Sequence, residues 1–258
     1  MKSTLSTLVT ALVIMLTNAI EGVTGFGSSV IALPFLNLTV GLHLAVKVLC
    51  FFGWLIPIYI IFRSRKHISW MEFGRILLWC APGVPVGMVL FGTLRPEILC
   101  SILGIFMVYV GVSGWKGVRS RKKEADPELA RKSKLLRMSL FFGGIIQGAF
   151  GTGGPFVVIY AAKALPDKSL FRVTLSMLWL TVNTGRFAAW LIRGELNDPL
   201  LWKIILISFP FWLAGVLLGD YLHDRASEYH FKLGVYLLVG VSGVVMFVNN
   251  VRLILPSL

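Results

Sequence analysis

The chain has 258 residues, of which 56% are hydrophobic and 14% charged. Soluble domains carry about a quarter charged residues, so a soluble globular protein is excluded, as is disorder, which needs low hydrophobicity. The net charge of +13 comes from 25 Lys and Arg against 12 Asp and Glu; these bases fall mostly between apolar segments, as positive-inside signals do, and not in a nucleic-acid-binding pattern.

A helical span needs ~20 apolar residues, so the chain has room for about eight. The expected fold is therefore an all-α integral membrane domain. After Lys2 an apolar run begins that has no small-x-small cleavage site, so it reads as a retained first membrane segment. That first segment covers residues 5–36 and is interrupted by Glu21-Gly-Val-Thr-Gly-Phe-Gly-Ser-Ser29. As one helix it would be about 48 Å long, against a hydrocarbon core of about 30 Å. The spacing predicts two half-helices around a glycine-rich turn. Further apolar segments follow at 44–62, 76–94 and 98–115. The polar stretch 116–137 holds nine Lys or Arg against Glu124, Asp126 and Glu128. Apolar segments resume at 138–165, 170–192, 200–218 and 231–248.

The chain reads as two related halves, 1–118 and 135–258, joined by a basic linker at 119–134. Glu21-Gly-x-x-Gly-x-Gly27 corresponds to Gln147-Gly-x-x-Gly-x-Gly153, Pro82-x-x-x-x-Gly87 to Pro210-x-x-x-x-Gly215, and Val110-Gly-Val-Ser-Gly114 recurs as Val239-Gly-Val-Ser-Gly243. The offsets stay near-constant and the order is kept, as duplication predicts; repeated halves are a common architecture of secondary transporters. The first segment of each half is expected to be broken, with both breaks facing the bundle interior, because non-helical backbone at membrane depth must be covered by protein or line a cavity. Two topologies remain open. With Arg186 left out as lying within a span, Lys and Arg divide 17 to 7 between the two sides if each broken segment crosses fully; if each re-enters, the halves are inverted and the division is 18 to 6. The linker is cytoplasmic in both.

The glycine breaks are the first candidate site, because half-helix starts present free N–H groups with partial positive charge, suited to an anion. Thr24, Gly25, Phe26, Gly27, Ser28 and Ser29 form one wall; Gln147, Gly151, Thr152, Gly153 and Gly154 form the other. The alternative is close helix packing through small residues. Arg186, deep in the sixth segment, is either a cation for the same anion or a side chain snorkelling to the interface. Asn183 aligns with Pro57 of the first half and is expected to face the cavity. Glu21 is either a coupling-proton carrier or a half-helix cap. Lys47 and Arg172 are interfacial anchors or cavity-mouth charges. Trp70, Trp115, Trp190 and Trp202 are expected in an aromatic belt.

His43, His67, His223 and His230 show no metal-ligand spacing, and Cys50, Cys80 and Cys100 read as inert core thiols. No metal or cofactor is expected. A serine nucleophile at Ser28 lacks a mid-span histidine base, and there is no phosphate-binding loop; an enzyme is not expected.

The broken segment with Gly-x-x-Gly-x-Gly, its recurrence in Gln147-Gly-Ala-Phe-Gly-Thr-Gly-Gly-Pro155, and the stretches Asn183-Thr-Gly-Arg186 and Gly194-Glu-Leu196 resemble the TauE/SafE sulfite exporter family over nearly the whole chain. Ser28-Ser29 stands where members often carry further glycine. The resemblance implies a multi-pass inner-membrane permease that exports sulfite, sulfoacetate or another small sulfur oxyanion, with Gly25, Gly27, Gly151, Gly153, Thr24, Ser28 and Thr152 at the pocket. The expected partners are that anion and the lipid bilayer, with no nucleic acid and a homodimer left open. The alternative function is an anion channel, or an importer of similar anions.

Overall fold

The computed structural model describes residues 2–93, 96–119, 127–165, 167–225 and 228–254, and the regular elements among them are all helical. The first segment is two helices, α1 (Lys2–Thr24) and α2 (Ser28–Val40), separated at Gly25-Phe26-Gly27. After Gly41 comes α3 (Leu42–Ser64), then a 3-10 turn over Arg65–His67. The third segment is also divided, into α4 (Trp70–Cys80) and α5 (Gly83–Thr93). Pro82 lies between them, where it has no N–H to donate and its ring crowds the preceding turn. Its counterpart Pro210 sits inside a continuous helix. Next come α6 (Pro96–Arg119) and the short α7 (Pro127–Lys132) of the basic stretch. The second broken segment is α8 (Lys134–Phe150) and α9 (Gly154–Ala164), followed by α10 (Lys168–Ile192), α11 (Pro199–Arg225) and α12 (Glu228–Ile254). Residues 120–126 of the linker and the side chains of Cys100 and His230 lie outside the described residues.

Among the described residues, four stretches are long and apolar enough to cross a bilayer: Thr7–Thr24, Leu42–Ser64, Trp70–Thr93 and Pro199–His223. Helices α2 and α9 are apolar but shorter.

Glycines bring the helices together and reveal their directions. A Cβ on Gly22 would lie 3.1 Å from the Gly219 Cα, and Gly215 lies against Met15, so α1 and α11 run parallel. Helices α5 and α8 are parallel as well, with Gly83 against Gly144 and Gly87 against Ala149. Gly104 meets Phe247 and Gly111 meets Gly240, so α6 and α12 are antiparallel. So are α3 and α10, where Gly53 meets Asn183 and Lys47 meets Glu195. Small residues allow this approach, in which dispersion and interhelical hydrogen bonds replace the hydrophobic effect within lipid.

Each broken segment doubles back on itself. The hydroxyls of Thr10 and Thr39 are hydrogen-bonded at 3.0 Å, which lays the end of α2 beside the early part of α1. A Cβ on Gly143 would lie 3.0 Å from the Val157 side chain, which lays α9 along α8. The two segments are hairpins with glycine turns at their tips, and the tips meet: a Cβ on Gly154 would be 3.2 Å from the Phe26 ring. Arg131 of α7 bonds Glu72 at the start of α4 at 2.8 Å, and Arg63 at the end of α3 bonds Asp220 near the end of α11 at 3.0 Å. These contacts define a linker side. The starts of α3 and α11 and the ends of α5 and α10 lie on the far side.

Candidate functional site

The two hairpin tips are built alike. At the first, the Gly25 N–H donates to the Glu21 carbonyl at 2.7 Å with φ +77°; at the second, the Gly151 N–H donates to the Gln147 carbonyl at 2.9 Å with φ +73°. A left-handed residue closing a helix in this way is usually glycine, because a Cβ there strains the backbone. The next helix then starts within three residues, and its first-turn N–H groups have no intrahelical acceptor. In each case the residue one turn before the break reaches across it. The Glu21 carboxylate accepts from the Ser28 N–H at 3.2 Å and from the Ser28 hydroxyl. The Gln147 side-chain oxygen accepts from the Gly153 N–H at 2.8 Å. The same task is done by a potential anion at the first tip and by a neutral amide at the second.

Between the tips lies a crevice of about 20 Å³, lined by Glu21, Phe26, Gly27, Ser29, Gln147, Gly151, Thr152, Gly154 and Asn183, and also by Val30, Gly53 and Trp179. Most of the residues the sequence singled out meet here. The buried Thr152 hydroxyl has no hydrogen-bond partner among the described residues. Asn183 is tied in on two sides: its amide nitrogen donates to the Gly53 carbonyl at 2.9 Å, and its oxygen accepts from Gln147 at 3.0 Å. Four expected tip residues do not line the crevice, among them Ser28, whose hydroxyl is taken up by Glu21. The Thr24 hydroxyl donates to the Phe26 carbonyl at 2.6 Å and shapes the turn. Gly25 is covered by the Arg172 backbone, which a Cβ would meet at 2.7 Å. Gly153 packs against Gln147 and Gly143.

Arg186 lies on the other face of Gly151. A Cβ on Gly151 would be 2.7 Å from Arg186 Nη1. Arg186 is 1% exposed, so it does not snorkel. Its guanidinium stands 4.8 Å over the Trp190 ring, and Nε and Nη1 have no hydrogen-bond partner among the described residues. No acid pairs with it among the described residues. Arg186 lines a second cavity, of about 140 Å³, which reaches towards the far side past Lys47, His43, Arg193 and Glu195 between walls of Val46, Met88, Phe91 and Trp190. Lys47 is a cavity residue; it bonds the Glu195 carbonyl at 2.8 Å. Trp190, expected in an interfacial belt, is instead 7% exposed beneath Arg186, because a buried guanidinium without a counter-ion is better placed over an aromatic face than over aliphatic carbon. Trp70 and Trp202 are exposed.

The sequence reading missed Trp179, whose indole N–H donates to the Gly25 carbonyl at 3.1 Å, and Gly53. A tryptophan in mid-segment carries no periodic signal that separates a structural donor from core. It also missed two buried acids on the linker side. Glu72 accepts from Tyr160, Arg75 and Arg131. Asp220 accepts from Tyr59 at 3.1 Å and Arg172 at 3.2 Å and pairs with Arg63. Both lie near helix ends, where an acid is ordinarily solvated and carries no signal of burial.

The family described as Sulfite exporter TauE/SafE matches residues 10–246. A protein named "Probable inner membrane transporter protein TsaS", from Comamonas testosteroni, is 22% identical over 179 residues, covering 69% of this chain and 72% of that protein. A "Probable sulfite/organosulfonate exporter TauE" from Cupriavidus necator is 24% identical over 185 residues, covering 69% of each. No solved structure matches. With the match spanning both hairpins, both cavities and Arg186, the chain belongs to the sulfite exporter TauE/SafE family and is a multi-pass transporter of the cell membrane.

Proposed function

We propose that this protein is a secondary transporter that exports a small sulfur-containing anion, sulfite or an organosulfonate, by alternating access, and that Arg186 is its principal anion-binding group. The observation that carries this reading is a fully buried guanidinium with two unbonded nitrogens and no acidic partner among the described residues. An unpaired buried cation is costly. Its retention beside a cavity is explained if an anion completes it during turnover. Glu21 already places a carboxylate at the first tip, so the anion belongs at the second, where Gln147 is neutral and Gly151, Thr152 and Arg186 converge.

The hairpins support an inverted arrangement of the halves. Helices α1, α3 and α6 run opposite to α8, α10 and α12, and a re-entrant hairpin opens each half. Three crossings per half then follow, with the linker cytoplasmic by the positive-inside rule and the Arg186 cavity facing outward. The membrane potential favours exit of an anion, by ~2.3 kcal/mol per charge per 100 mV. The deciding experiment is counterflow in proteoliposomes. Internal sulfite should accelerate uptake of labelled sulfite severalfold, with loss of the effect in Arg186→Ala. Flux without acceleration would indicate a channel instead.

A further inference from the structure

The far-side cavity leads to Arg186, whereas on the linker side the first hairpin tip is covered. Arg172 of α10 packs its backbone and Cγ directly behind Gly25. Its guanidinium meets the Asp220 carboxylate of α11 at 3.2 Å, with both residues buried. The same carboxylate takes the Tyr59 hydroxyl and the Arg63 guanidinium of α3. One turn further along α11, His223 Nδ1 lies 2.8 Å from the Val23 carbonyl at the end of α1. Three helices, α3, α10 and α11, are therefore tied together around one acid behind the tip, and α1 is held to α11 beside them.

We propose that the Asp220–Arg172 pair is the linker-side gate of the anion path, and that Asp220 holds the place at Arg172 that the entering anion takes when the gate opens. The inference rests on the anion-carrier reading and adds the device that closes its inner side. Three physical points favour a gate over a simple brace. A buried ion pair contributes little net stability compared with apolar packing of the same volume, because desolvation offsets the attraction. The carboxylate of Asp220 is the acceptor shared by Tyr59, Arg63 and Arg172, so the closed state depends on it. The approaching substrate has the same sign of charge as Asp220, so it can take the place of the acid at Arg172. Arg172 then serves as the inner cationic station and Arg186 as the outer one, on opposite sides of the joined tips.

The test is accessibility of the crevice from the linker side. Ser29→Cys, in the crevice, is placed in reconstituted full-length protein whose three native cysteines are replaced by serine or alanine. A membrane-impermeant maleimide is then applied to the linker face. The proposal expects Asp220→Asn to raise the labelling rate about tenfold, as a shifted open–closed equilibrium would. Unchanged labelling in folded Asp220→Asn would overturn it. If Asp220→Asn does not fold, Tyr59→Phe removes one bond to the same carboxylate and should raise labelling by a smaller factor; no change there would also overturn it. Sulfite-dependent thermal stabilisation of the parent is measured in parallel. Its absence would count against the anion-carrier reading without altering the meaning of the labelling rates.

Discussion

Asn183 supplies the Gly53 carbonyl with the hydrogen bond that its own helix cannot provide. Gly53 is four residues before Pro57, which lacks an N–H, and the Asn183 amide fills the vacancy at 2.9 Å. A buried carbonyl left unpaired costs roughly 1–3 kcal/mol. The other end of the same amide accepts from Gln147, which in turn accepts from the Gly153 N–H at the start of α9. The proline defect of α3, the core of α10 and the second hairpin tip are thus joined in one chain of polar groups.

Asn183→Leu should therefore destabilise the protein by about 2 kcal/mol or more, since it orphans the Gly53 carbonyl and the Gln147 amide together. Pro57→Ala restores a helical N–H to Gly53. The double variant should recover part of the loss, seen as a higher melting temperature in detergent than for Asn183→Leu alone. Strict additivity of the two substitutions would show that the proline and the asparagine are not coupled.

How far this arrangement was legible in the sequence varies by feature. The helix breaks at Gly25–Gly27 and Gly151–Gly153 follow from an over-long segment with glycine in its middle. The alignment of Asn183 with Pro57 marks a disturbed level, though not that one side chain repairs the other's helix. Arg186 stands out as an intramembrane charge, but its distance from an interface cannot be judged from segment length alone. The direction of α2 and α9 was illegible for a different reason. A glycine turn is compatible with both a straight-through break and a reversal, and charge counts of 17 to 7 and 18 to 6 do not separate them. The reversal rests on contacts such as Thr10–Thr39, which have no local signature. Asp220 was missed because an acid near the end of an apolar run is ordinarily solvated.

The glycines of the tips should differ sharply in tolerance. Gly151→Ala forces a left-handed φ on a residue with a Cβ and also drives that carbon to 2.7 Å from Arg186 Nη1. Gly27→Ala has the same kind of backbone strain at φ +104°, yet nothing lies within 4 Å of the added carbon. Strain alone costs about 1–2 kcal/mol. Both variants should lose melting temperature from the backbone strain, but only Gly151→Ala should also lose sulfite-induced stabilisation. Equal loss of ligand response in the two would mean that Arg186 is not the neighbour that matters.

Replacing Arg186 separates binding from folding by the sign of two effects. Arg186→Met removes a buried charge that has no acidic partner among the described residues and puts a flexible apolar side chain over Trp190. Swapping buried charge for apolar volume is often neutral or stabilising. The ligand-free variant should melt at or above the parent. The parent should gain about 2.7 kcal/mol at sulfite a hundredfold above its dissociation constant, and the variant should gain almost none. A variant that melts much lower and keeps its ligand response would show that Arg186 is a structural residue only.

The unequal caps, Glu21 at the first tip and Gln147 at the second, give a prediction whose direction is set by charge. Gln147→Glu would put a carboxylate beside Gly151 and Thr152, at the tip proposed to receive the anion. An ionised carboxylate and an anion at about 4 Å repel by ~4 kcal/mol at an effective dielectric constant of 20, and even a fraction of this weakens binding tenfold or more. The new acid can still accept from the Gly153 N–H, so the tip keeps its cap and the fold should survive. Glu21→Gln works in the opposite sense: it replaces the carboxyl group in the same crevice by a neutral amide while leaving an acceptor for Ser28. Sulfite affinity measured by calorimetry at neutral pH should fall in Gln147→Glu and rise or hold in Glu21→Gln. If Glu21→Gln weakens binding instead, the carboxylate takes part in transport directly. A proton exchanged for the anion would then become the better account, and uptake of protons in step with sulfite efflux would be the measurement to make.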